Sequence, residues 1–241
     1  MTTQFVSDIH LCQERPYITE LFLRFVHGMS SDCQGLYVLG DLFEYWIGDD
    51  GIALLGYQDV IAGVKSLTER DIPVYFMHGN RDFLIGSAFC DQTGCKLLHD
   101  PTVIHLHGQA VLLMHGDSLC TDDVEHQEFR TKVRASQWQN EFLGKTLSER
   151  NAIAISLRKQ SEAKKSYKTM EFMDVNQQAV EQAMRHHGTD ILIHGHTHRP
   201  GVHNFTLDQR RAQRIVLGDW YEQGSILTWD ESGSSLRSYS E

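Results

Sequence analysis

Five short apolar runs stand out along the chain, and each is followed at once by a side chain that can bind a metal ion. They span residues 4–6, 36–39, 74–77, 110–114 and 190–193, bounded by Gly, Pro or polar clusters. Runs of this length read as buried strands. Between them the apolar spacing lengthens to the period of a helix. Over residues 19–29 it puts Leu21, Phe22, Phe25 and Val26 on one face, and a second helix is predicted over about residues 57–69. Residues 103–107 and 110–114 form a predicted hairpin joined through Gly108 and Gln109.

From Val124 to about Thr169 the pattern is helical, with no strand signal between. Phe129/Val133, Trp138/Phe142 and Ile153/Leu157 are i, i+4 pairs that meet on one helix face. The stretch predicts a helical cap at about residues 124–170, inserted between strands of the main sheet. A further helix is expected to run to about His186, with Asp174 as its N-cap. Residues 202–207, 215–217, 225–229 and 235–239 read as a closing set of antiparallel hairpins. Strands alternating with helices define an α/β class. The chain reads as a single domain over residues 1–241 that carries the cap.

The candidate chemistry sits where the strands stop. Asp8 and His10 follow the first run, and His196 and His198 follow the last. Residues i and i+2 of an extended segment point to one side, so each pair can face a common centre. Gly195 lets the backbone turn close to whatever the second pair holds. Asp41, after Gly40, ends the second run. A carboxylate has two oxygens and can bridge two ions, whereas an imidazole offers one free lone pair, so Asp41 is the expected bridge. Asn80 supplies an amide oxygen for a hard cation, and His115 ends the fourth run. Arg81 cannot ligate a metal, but its planar fork suits a phosphate, or a salt bridge to Asp82. Glu44 reads as a supporting residue, and Asp49-Asp50-Gly51 as a plain turn. Gly218-Asp219-Trp220 is expected to return the chain toward the site, and His186 and His187 to lie on the surface.

Asp8, His10, Asp41, Asn80, His115, His196 and His198 are too many donors for one ion with an open position. They fit two ions sharing Asp41. One would be held by Asp8, His10, Asp41 and one of the last two histidines. The other would be held by Asp41, Asn80, His115 and the remaining histidine. Oxygen and nitrogen donors without thiolate favour Mn²⁺, Fe, Zn²⁺ or Mg²⁺. Two such ions ~3.5–4 Å apart suit phosphoester hydrolysis: they lower the pKa of a bridging water and neutralise the phosphoryl oxygens. Hydroxide then attacks phosphorus in line with the leaving oxygen.

Composition narrows the class further. A chain of 241 residues with 41% hydrophobic content can bury a substantial core. No apolar run approaches the ~20 residues of a membrane span, and the first residues carry no basic leader pattern. Cys12, Cys33, Cys90, Cys95 and Cys120 form no CxxC pair and read as reduced thiols of a cytoplasmic protein. A net charge of −10 argues against a nucleic-acid partner. Residues 125–170 nevertheless carry a net +5 against −15 elsewhere, with Lys159, Lys164, Lys165 and Lys168 grouped around Ser161. Such asymmetry suits one face meeting an anionic partner.

Asp8-x-His10, Gly40-Asp41-x-x-Glu44, Gly79-Asn80-Arg81-Asp82, His115-Gly116-Asp117 and Gly195-His196-Thr197-His198 resemble, in order, the five blocks of the calcineurin-like metallophosphoesterases. That family carries histidine after the asparagine, often assigned as an acid; Arg81 here is similar to the subfamily acting on UDP-2,3-diacylglucosamine. Ile47-Gly48-Asp49-Asp50, Leu119 to Asp123, Met173 to Gln177 and His196 to Pro200 share the resemblance. It implies a four-layer αββα sandwich with an inserted helical cap. It implies cleavage of the pyrophosphate of UDP-2,3-diacylglucosamine to UMP and 2,3-diacylglucosamine 1-phosphate in lipid A synthesis. His198 is then assigned to the ion of Asp8 and His10, and His196 to that of Asn80 and His115. Asp41 and Arg81 carry the catalytic expectation. Substrate contacts are implied at Asn80, Arg81, Asp123, Ser161, Lys165, Lys168 and His196. The expected cofactors are two divalent ions, foremost Mn²⁺. The expected setting is a monomer held peripherally on the cytoplasmic face of the inner membrane, an anionic surface, with Phe129, Trp138, Phe142 and Leu143 forming an apolar groove for the acyl chains.

Overall fold

The five apolar runs are strands in the computed structural model, and they divide between two sheets. The structure describes residues 1–165 and 174–240. In the first sheet β1 (Thr2–Val6), β2 (Cys33–Val38), β3 (Val74–Met77) and β4 (Lys96–Leu98) are parallel neighbours. Antiparallel β10 (Gly224–Asp230) and β11 (Gly233–Tyr239) extend it beyond β1. The second sheet runs β5-β6-β7-β9-β8, from β5 (Thr102–Leu106), β6 (Gln109–Leu113), β7 (Ile191–His194), β8 (Gly201–Leu207) and β9 (Arg210–Val216). Its central strands β6, β7 and β9 are parallel.

Alternation along each strand assigns side chains to layers. Phe5 of β1 packs in the cluster between the sheets with Leu113, Ile193 and Ile215. Its neighbour Val6 packs on the opposite side, under α1 (Pro16–His27), α3 (Gln58–Thr68) and α4 (Ser87–Thr93). Leu112 and Leu192 face outward from the second sheet onto Val180 and Met184 of α8 (Gln177–His187). The order is therefore helices, sheet, sheet, helix. Each fully buried Leu, Ile or Phe in these layers contributes ~1.5–3 kcal/mol.

Between β6 and β7 come α5 (Val124–Arg134), α6 (Ser136–Leu143), α7 (Leu147–Lys165) and then α8. Polar clamps fasten this insertion to the sandwich. Arg130 donates to buried Asp117 at 2.8 Å, and Arg134 to the Gly79 carbonyl at 2.9 Å. From α7, buried Arg150 donates to the Ile47 carbonyl at 2.5 Å and forks onto Asp50 at 2.8 and 2.5 Å.

Several sequence expectations change. Asp49-Asp50-Gly51 is no plain turn: Asp49 accepts from Trp46 Nε1, Gly86 N and Phe89 N, while Asp50 holds the cap. The N-cap of α8 is Asn176, which accepts from Gln178 N and Ala179 N; Asp174 instead pairs with Arg199 at 3.0 Å. The closing strands are not one set, for each sheet takes one hairpin onto its edge. α1 starts at Pro16, where a missing N–H costs nothing. The hairpin turn falls at His107-Gly108, before Gln109. Short α2 (Ile52–Leu55), α4 and the half-exposed β4 have too little apolar pattern to be read.

Candidate metal centre

The chain leaves β1, β2, β3, β6 and β7 at one end of the sandwich, and all seven candidate donors collect there. In open α/β sheets ligands bind beyond the carboxyl ends of the strands. The local backbone is unusual. Asp8 and His10 have φ 54°, Asp41 54°, His196 67° and His198 56°. Non-glycine residues rarely enter this left-handed region, and such strain clusters at functional sites. The expectation that each i, i+2 pair points one way from extended backbone is therefore corrected. Left-handed turns, not strand alternation, aim these side chains. Gly195 earns its place by close approach: a Cβ there would fall on Ser7 Oγ and Asp8 Oδ2.

The donors form two overlapping groups. Asp8, His10 and His198 make one, and Asp8, Asp41 and His115 another, each with its ligand atoms within 4.8 Å of one another. His10 Nε2 and His198 Nε2 approach to 3.3 Å, and His198 Nε2 lies 3.4 Å from Asp8 Oδ1. On the far side, Asn80 Oδ1 is 3.1 Å from His115 Nε2 and 2.8 Å from His196 Nδ1. Asp41 Oδ2 stands between, 3.9 Å from His10 Nε2 and 3.8 Å from His115 Nε2.

Each imidazole that turns Nε2 inward has an acceptor behind its Nδ1. For His115 it is the Leu39 carbonyl at 2.9 Å, and for His198 it is Asp219 Oδ2 at 3.0 Å. Behind His10 Nδ1 the Glu44 carboxylate stands at 3.6 Å, an ion-pair distance longer than a hydrogen bond. This is the outer-shell pattern that fixes tautomer and aim in metal-binding histidines. Asp8 Oδ1 is buried without a hydrogen bond among the described residues. Inward lone pairs, a converging oxygen and backed imidazoles together fit divalent cations.

Charge is concentrated here. Burial drives the Asp41 carboxyl up to about 7, with His115 pulling the other way. Burial opposes the charged form of His115, yet Asp41, Asp117 and Asp8 raise it to about 9. His198 also overcomes burial and reaches about 9 through the Asp219 and Asp8 carboxylates beside it. Burial raises Asp8, but His198, His115 and His10 hold it far below the ordinary carboxylate range. His196 is kept well below the usual histidine range by burial and by His115. These acidic oxygens draw positive charge into the centre.

The cap roofs the centre and leaves a cavity of about 500 Å³. Asn80, Arg81, Asp123, Ser161 and His196 line it, as do Phe129, Trp138 and Phe142. Leu143 is exposed and does not line it. Lys168 lies outside the described residues, as does the side chain of Lys165 at the end of α7. Asp82 does not pair with Arg81. It is buried and gathers the backbone N–H groups of Leu42 and Gly79 at 2.8 and 2.9 Å. Asp219 does return to the site, as expected from Gly218-Asp219-Trp220. Residues that sequence reasoning missed include His126, 5.3 Å from the His196 ring, and Tyr221, stacked on His10 at 5.5 Å. Arg158 joins them in the cavity wall from α7. No spacing rule marks these three, because each reaches the centre from a remote element.

A His/Asp cluster suited to divalent cations, set beyond the strand ends of a two-sheet α/β sandwich, is the arrangement expected of a metallophosphoesterase. The Calcineurin-like phosphoesterase family profile matches residues 1–200, and the chain belongs to that family. Within it, the chain belongs with the UDP-2,3-diacylglucosamine hydrolases. It is 48% identical over 229 residues to the one from Aeromonas hydrophila, covering 94% of each chain. The Enterobacter sp. protein of the same name is 48% identical over 236 residues, covering 98% of each. Among solved structures, an archaeal phosphodiesterase shares the fold at 12% identity, with a TM-score of 0.50 over 99% of each chain. No helix among the described residues is long and apolar enough to cross a membrane.

Proposed function

We propose that this chain hydrolyses the pyrophosphate of UDP-2,3-diacylglucosamine, giving UMP and 2,3-diacylglucosamine 1-phosphate for lipid A synthesis. The observation that carries the reading is one cavity with two characters. Its floor is the His/Asp centre with Arg81, and its wall is Phe129, Trp138 and Phe142. A soluble nucleotide needs the floor alone; an acylated one needs both.

Asp8, His10, Asp41 and His198 hold one Mn²⁺ in this reading, and Asp41, Asn80, His115 and His196 the other. When bound, the pair supplies an activated water and neutralises phosphoryl charge. Arg81 holds the pyrophosphate through its planar fork, in place of the histidine acid found elsewhere in the family. Asn80, Asp123, Ser161, Lys165, Lys168 and His196 contact the substrate. Trp138 stacks on Phe142 at 5.0 Å, a flat surface for an acyl chain. Val124, Phe129 and Leu143 are exposed on the cap beside its basic residues, which favours peripheral contact with an anionic membrane on the cytoplasmic side. The chain acts as a single domain and a monomer.

Incubation with UDP-2,3-diacylglucosamine and Mn²⁺ in ¹⁸O-water tests the reading. The expected products are UMP carrying the label and unlabelled sugar 1-phosphate, identified by mass. Equal turnover of UDP-sugars without acyl chains would remove the lipid from the proposal. Label in the sugar phosphate would reverse the direction of attack.

A further inference from the structure

Glu44 is 3% exposed, yet it meets four cationic or ionisable groups from three parts of the chain. Its Oε2 lies 2.9 Å from Arg15 Nη2 and 3.6 Å from His10 Nδ1. Its Oε1 lies 3.3 Å from Arg158 Nε on the cap helix α7 and 3.8 Å from Arg81 Nη1. Arg15 Nη2 also donates to the His10 carbonyl at 2.5 Å, so both ends of His10 are tied to the same pair. The Glu44 backbone is fixed as well, its N–H bonded to the Leu11 carbonyl at 3.0 Å.

A buried carboxylate is expensive to keep charged unless its partners repay the lost hydration. One guanidinium would have been enough for neutrality. Three arginines converge instead, and two of them, Arg81 and Arg158, also line the cavity. The negative oxygen opposite Nδ1 favours the His10 tautomer with its proton on Nδ1, which leaves the Nε2 lone pair facing Asp8 and Asp41. Removing that oxygen frees the ring to take the other tautomer or to turn.

We propose that Glu44 is a positioning residue that joins the two halves of the site: it aims His10 at the first metal position and holds the cap arginine Arg158 beside Arg81. The proposal rests on the two-metal reading given above. It makes the cap and the metal centre one electrostatic unit, with Glu44 as the shared anion.

Mn²⁺ titration of the apo full-length chain, by calorimetry and by electron paramagnetic resonance, tests this without substrate. Wild type is expected to bind two ions. Glu44→Gln, and Glu44→Asp, which keeps the charge but withdraws it from His10, are expected to weaken one of them about 10- to 100-fold. In a His10→Ala background, where that site is already lost, Glu44→Gln is expected to leave the remaining affinity unchanged. Two wild-type affinities in both single variants would overturn the assignment. So would an equal further loss in the His10→Ala background, which marks a general structural role. A wild-type chain that binds no Mn²⁺ would instead overturn the metal centre itself, and this assignment with it.

Discussion

Asp41 turns one carboxylate oxygen to the backbone of Arg81 and the other to the centre. Oδ1 accepts the Arg81 N–H at 2.8 Å, while Oδ2 faces both His10 and His115 at 3.9 and 3.8 Å. One side chain thus sets the loop that carries Arg81 and supplies an oxygen that stands between the His10 and His115 sides of the centre. Asp41→Asn keeps the shape and removes the charge. Metal uptake is expected to fall from two ions to one or none, read by elemental analysis. kcat/KM is expected to fall ~1,000-fold or more, the several kcal/mol that such a clamp contributes.

Much of this was legible in the sequence because strand ends leave a simple mark. An apolar run such as Val74 to Met77, then Gly79-Asn80, states both the element and its cargo. The turns that aim Asp8, His10 and His198 were not legible, because a left-handed backbone at aspartate or histidine has no spacing signature. Nor were the contacts from the cap. Arg150 and Asp50 are 100 residues apart, and nothing local in either stretch announces the other. Asp174 and Asn176 are both good caps by type; the pull of Arg199 on Asp174 decided between them.

The close approach of the first and last donor loops depends on Gly195. Its backbone lies so near Ser7 and Asp8 that Gly195→Ala must push one loop away. Overpacking of this kind costs ~1–3 kcal/mol. Since Asp8 Oδ2 also accepts the His196 N–H at 2.8 Å, the shift spoils both donor groups together. The variant is expected to melt lower and to lose Mn²⁺ affinity at both positions, measured by calorimetry beside wild type.

Arg150 is 4% exposed and is a main fastener of α7. Arg150→Met keeps the stem but strands the Ile47 carbonyl and leaves Asp50 to water. Hydrogen bonds from a charged donor contribute ~1.5–3 kcal/mol in such settings, and Asp50, being largely exposed, recovers part of its loss. The expected outcome is a destabilisation of ~1–3 kcal/mol, with faster proteolysis within residues 124–165 than within the sheets. KM for the acylated substrate is expected to rise more than kcat falls, since the groove wall is carried by the cap.

Asp100, which is not among the candidate metal ligands, carries a pH dependence of stability of its own. Both its carboxylate oxygens are buried without a hydrogen bond among the described residues. Burial, and then the charge of Asp117, raises its pKa from the ordinary 3.8 to about 6. The folded chain therefore holds a proton that the unfolded chain has already released between about pH 4 and pH 6. Stability from this group is fully present below pH 3.8 and is lost as pH rises through about 6. The loss is at most ~3 kcal/mol, from 1.36 kcal/mol per unit. Asp100→Asn cannot ionise, so it escapes this loss. Melting curves at fixed metal concentration are expected to show the variant gaining on wild type from pH 4 to pH 6. Above that range the gap stays constant. A gap that is the same at pH 4 and pH 7 would remove Asp100 as its source.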